Sequence, residues 1–164
     1  MDYELAYRYG VPSCLDEYAG LALSTSGGST PEGEAACPYF FSGFMERPEV
    51  VAAGLLVVAR VARTRFYVPP GMVVAPGGGL TRIGMLDPVV TNTAEGLRFE
   101  SFSVCCGVYA RLDVEASALD AAHCAVGVTN VDVNQPLRAA LASLRAGEPL
   151  HLGVGEEGLT ATTL

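Results

Sequence analysis

Ten consecutive residues, Val50 to Ala59, are all apolar, and Arg60 ends the run. No other feature constrains the fold as strongly. A bilayer crossing takes about 20 apolar residues, so this run is far too short to span one. Pro48 suits the first helical position, where its missing N–H costs nothing. Glu46 and Glu49 stand before the run and Arg60, Arg63 and Arg65 after it, and both groups suit a helix dipole. The spacing predicts a helix over about 48–64. So much valine lowers helix propensity, so packing must hold the helix. Being apolar on every face, it is expected to lie buried between other elements.

Around this helix the pattern has period 2. Residues 4–11 and 20–25 alternate apolar and polar side chains, as do 97–104 and 108–115. Short strands are also expected at Leu80–Met85 and Pro88–Asn92. At 126–133, Val126 and Val128 point one way and Val131 and Val133 the other, which suggests a β-bulge near Asn130. Asn134 or Gln135 then caps a second helix over about 136–146, with Leu137, Leu141 and Leu144 in one stripe and Gly147 as its C-terminal cap. Strands at 150–154 and 159–164 close the chain. Glycine and proline mark loops at 24–38 and 69–79, and the aromatic cluster Tyr39, Phe40, Phe41 and Phe44 anchors the end of the first one. The expected fold class is α+β, a single domain over 1–164, with a mainly antiparallel sheet packed against two helices.

Charge narrows the function classes. All ten basic residues are arginine, against 18 carboxylates, for a net charge of −8. Such a surface repels phosphate backbones, so nucleic-acid contact is disfavoured. The acidic start lacks the basic region of a signal peptide, and five irregularly spaced cysteines make a poor disulfide framework. A reduced, cytoplasmic protein without membrane contact is expected.

Four groups of residues could carry chemistry. Cys105 and Cys106 could supply a nucleophile, with Arg111 the nearest cation. No helix follows to lend its dipole, so small apolar filling is the simpler role. Zinc would need ligands paired at short separations. Here the pairs Cys105–Cys106 and His123–Cys124 are adjacent, and neighbours on an extended backbone diverge. No catalytic or metal residue is therefore assigned. Neither Gly27–Gly28 nor Gly77–Gly79 matches a phosphate-binding pattern. Asn130, Asp132 and Asn134 alternate and could present oxygens to a ligand, although bulge and cap duties account for the asparagines. The candidate polar and thiol surface is thus Cys105, Cys106, Arg111, Asn130 and Asp132.

Three stretches carry a resemblance: Pro38–Phe44 (PYFFSGF), Leu97–Asp113 (LRFESFSVCCGVYARLD) and Thr129–Leu141 (TNVDVNQPLRAAL). Together they resemble the N-terminal region of bacterial, largely actinobacterial, SWIM zinc-finger family proteins. The SWIM motif itself, C-x-C followed by C-x-H, does not occur in this sequence. Zinc is therefore expected only where a SWIM segment follows, and on no residue here. The resemblance implies a non-catalytic accessory or interaction domain, partnered by a protein or by a downstream zinc-finger segment. The alternative from the residues alone is a thiol-dependent enzyme or small-ligand-binding domain using Cys105 and Cys106.

Overall fold

A computed structural model describes residues 9–16, 20–36, 38–67, 87–145 and 147–155. Among them, strands assemble two sheets. The first has β1 (Cys14–Asp16) at one edge, then β2 (Gly20–Leu23), β11 (Leu150–Val154), β5 (Phe41–Met45) and β9 (Leu119–Cys124). Its pairings are antiparallel except β2 with β11. The second runs β4 (Gly33–Ala35), β3 (Thr25–Thr30), β10 (Gly127–Val131), β6 (Val89–Thr93), β7 (Gly96–Phe102) and β8 (Tyr109–Glu115), antiparallel throughout. With two helices and antiparallel-dominated sheets, the chain is α+β, as its patterning predicts.

Among the described residues the chain changes sheet six times, and the two shortest crossings are at Ser24 and at Ala125–Val126. Buried Asn92 pins the latter crossing. Its Nδ2 donates to the carbonyls of Phe40 (3.2 Å) and Ala125 (2.9 Å) and to the Cys124 sulfur (3.2 Å). Phe40, Phe41, Leu23, Phe99 and Leu152 are fully buried between these elements and form much of the core.

Helix α1 (Pro48–Ala62) packs on β7 and β8 through Val51, Leu55, Val58 and Ala62. Gly54 faces β8 at such close range that an added Cβ would stand 2.8 Å from the Leu112 side chain. The expectation of burial on all faces is only half met. Val50 and Val57 are 51% and 58% exposed, and Ala53 between them is exposed too.

Helix α2 (Gln135–Ala142) is shorter than expected. Asn134 caps it, Oδ1 accepting from the Leu137 N–H at 2.9 Å. The helix stops at Ser143, so Gly147 (φ 84°) serves a later turn and is not its cap.

The stretch at 24–38 corrects the loop expectation. It is largely β3, a two-residue turn and β4. Its glycines read as loop, yet Gly28 lies against Val128 and Thr129 of β10, where a side chain would collide. The bulge falls opposite Asn130 but on the other strand. Thr129 pairs with Gly28 and Val131 with Thr25, so the extra residue belongs to β3. β10 itself alternates regularly, which is why its even and odd valines face opposite ways. Strands β1, β5 and β9 were not expected. The loop at 69–79, the strands at 80–85 and 159–164 and residues 4–8 of the first strand lie outside the described residues; residues 9–11 form no strand.

Candidate functional site

The β7–β8 hairpin closes through Ser103–Val108, which holds both candidate cysteines. Phe102 pairs with Tyr109 at its mouth, and the Ser103 N–H donates to the Val108 carbonyl at 2.8 Å. Cys106 sits at φ 56°, a left-handed conformation rare for a residue with a side chain, and donates its N–H to Ser103 O at 2.7 Å. The two cysteines therefore stand in a turn, and the alternation of an extended strand does not apply to them.

Cys105 is partly buried and Cys106 exposed, so neither acts as core filler. The segment after α1 runs alongside this loop, with the Val104 N–H on Thr64 O at 2.9 Å. It brings the Phe66 N–H to 3.3 Å from Cys105 Sγ, and the Ser103 hydroxyl lies 3.4 Å from the same sulfur. The backbone N–H groups of Gly107 and Tyr67 also donate to it. Ser103 contributes most, followed by Gly107, and together these donors lower the Cys105 pKa from 9.0 to about 6. Amides and one hydroxyl thus replace the cation or helix dipole that sequence reasoning required of a reactive thiol.

Aromatic rings surround this loop. Phe66, Tyr67, Phe102 and Tyr109 are each about half exposed, and the last two rings touch at 5.0 Å between centroids. The Tyr109 hydroxyl donates to Glu100, which raises its pKa.

The other candidates stay apart from the thiols. Arg111 lies on the outer face of β8 and donates to Asp113 at 2.6 Å; Arg98 donates to the same carboxylate at 2.8 Å. Arg111 first, then Arg98, holds the Asp113 carboxyl below its usual range, and Asp113 raises the arginine in turn. These three line an open groove of about 580 Å³ with Thr91 and Thr93. Neither cysteine lines it, nor does Asn130 or Asp132. Asn130 is buried on β10, and its Nδ2 has no partner among the described residues. Asp132 accepts from the Ser13 N–H (3.1 Å) and Asn134 Nδ2 (2.8 Å), a structural duty linking β1 to the start of α2.

On β9, His123 stacks on Tyr39 while Cys124 accepts from Asn92, so this adjacent pair diverges. Among the described residues, no three His, Cys, Asp or Glu side chains cluster as metal ligands. Sequence reasoning missed the thiol's donors Ser103, Phe66 and Tyr67. It also missed Ser42, whose Oγ lies 2.9 Å from His151 Nε2 across β5 and β11. No spacing signals either grouping, because strand and loop pairing over long separations creates both. No protein-family model, curated protein or solved structure matches the chain.

Proposed function

We propose that this chain is a non-catalytic interaction domain of the kind found N-terminally in SWIM zinc-finger family proteins, working in a bacterial cytoplasm. The observation that carries this reading is the half-exposed aromatic group Phe66, Tyr67, Phe102 and Tyr109 around the β7–β8 loop. Exposed aromatics grouped at one end of a domain are typical of protein contact surfaces. The groove that Arg111 lines holds neither cysteine, nor Asn130 or Asp132, and this supports the same reading. The partner is a protein or a downstream zinc-finger segment, and zinc belongs to that segment and not to this chain.

The test is quantitative co-purification from the source cells with wild type and with the F102A/Y109A variant. At least one partner retained by wild type and lost by the variant is expected. Identical partner sets would sink the reading, and so would stoichiometric zinc in the isolated chain by elemental analysis.

The cradle around Cys105 favours a second reading, a thiol-dependent site. The Phe66 N–H and the Ser103 hydroxyl both contact its sulfur, more than the turn needs to close. Selective native-state alkylation of Cys105 distinguishes this reading from the first, which requires no thiol reactivity.

A further inference from the structure

A helix that is apolar on every side must cover every side, or it leaves apolar surface in water. The described residues cover only the inner side of α1. Its outer side carries Val50, Ala53 and Val57, spaced at i, i+3 and i+7, so they form one ridge. Glu46 and Glu49 lie toward one end of that ridge and Arg60 toward the other. Among the described residues none of these three charges makes an ion pair.

We propose that this ridge pairs with the same ridge of a second copy, the two α1 helices running antiparallel about a two-fold axis near Ala53. The ridge is self-complementary in that arrangement and in no parallel one. Antiparallel, Val50 of one copy meets Val57 of the other, and Ala53 lets the helices approach closely at the centre. The acidic end of each helix lies beside the basic end of its partner. Glu49 and Arg60 sit on the same flank of the helix, about 20° apart at 100° per residue, and a two-fold axis brings like flanks together. In a parallel pair the axis runs along the helices and sets the two Glu49–Arg60 flanks on opposite sides of the seam, with no opposite charges facing each other.

A 15-residue helix is about 22 Å long. One ridge of that length buries less than the roughly 800 Å² per partner of a standard interface. The dimer is therefore a weak one, reversible at micromolar concentrations or above. The inference deepens the interaction reading by naming one partner. It uses a different surface from the aromatic loop, so either can fail alone.

The experiment is sedimentation velocity of the full 164-residue chain from about 1 μM to 1 mM, the range in which weak interfaces dissociate. A monomer–dimer equilibrium is expected, weakened at least tenfold by V57E and by E49R. Neither position is buried, so circular dichroism and the melting temperature should be unchanged in both variants. The double variant E49R/R60E should recover the wild-type association, because it restores opposite charges only across an antiparallel pair. A chain monomeric throughout the range overturns the proposal. So does a dimer that V57E leaves intact, an assembly larger than two, or a double variant no better than E49R.

Discussion

At the scale of single residues, Cys105 is the most distinctive group in the chain. A thiol with a pKa of about 6 is about 90% thiolate at pH 7, where an ordinary cysteine is only a few per cent ionised. Its alkylation by iodoacetamide should rise with pH around 6 and level off above 7. Replacing Ser103 with Ala removes the largest of the lowering causes, so the Cys105 midpoint should move upward. Mass spectrometry of labelled peptides reads both effects, and uniform slow labelling of all described cysteines would remove the thiol reading. The linkage has a definite sign. A depressed thiol pKa favours the fold above the ordinary thiol range, and that contribution fades as pH falls through about 6. The sequence pointed to this residue but not to its donors. The donors come from residues 66, 67, 103 and 107, and only the closeness of the α1 exit to the β7–β8 loop brings them together.

At the scale of elements, local signals were trustworthy where a local cause decided the outcome. Asn134 followed by Pro136 reads as a helix start, and Asn134 Oδ1 accepts the Leu137 N–H as that signal requires. Asn134 also donates to Ser13 O at 2.9 Å and to Asp132, so it joins β1 to α2. N134A should therefore cost more than a simple cap, about 2–3 kcal/mol in urea unfolding, against the usual ~1 kcal/mol. A cost of a few tenths would show that the two extra bonds contribute nothing. Elements whose cause is distant were misread. β3 reads as loop because of its glycines and short polar residues, yet Gly28 stands against β10 so closely that a side chain there would collide. β9 escaped notice because Leu119–Cys124 lacks alternation, and its pairing with β5 carries a register shift.

At the scale of the whole molecule, repeated crossings tie the sheets together, two of them almost direct. β2 continues into β3 and β9 into β10, so neither sheet can open without the other. Unfolding in urea should be a single transition, coincident by far-UV circular dichroism and tyrosine fluorescence. N92A removes one donor from the Phe40 carbonyl, which keeps the Ala125 N–H, and one from the Ala125 carbonyl, and should lower stability by about 1–3 kcal/mol. L55A opens a cavity under α1 and should cost a further 2–5 kcal/mol, roughly, within the same single transition. Separate transitions in either variant would contradict a shared core.

The sequence by itself determined the α+β class, α1 and its polarity, the capped start of α2 and the strands β7 and β8. Each follows from residue spacing or from a side chain acting on its near neighbours, and those effects survive without knowledge of the fold. Tertiary structure alone decided the division into two sheets, the bulge's place on β3, the cradle around Cys105 and the side of α1 left uncovered. Those depend on which distant segments meet, and the free energy of meeting comes from burial and hydrogen bonds that no local pattern of side chains encodes.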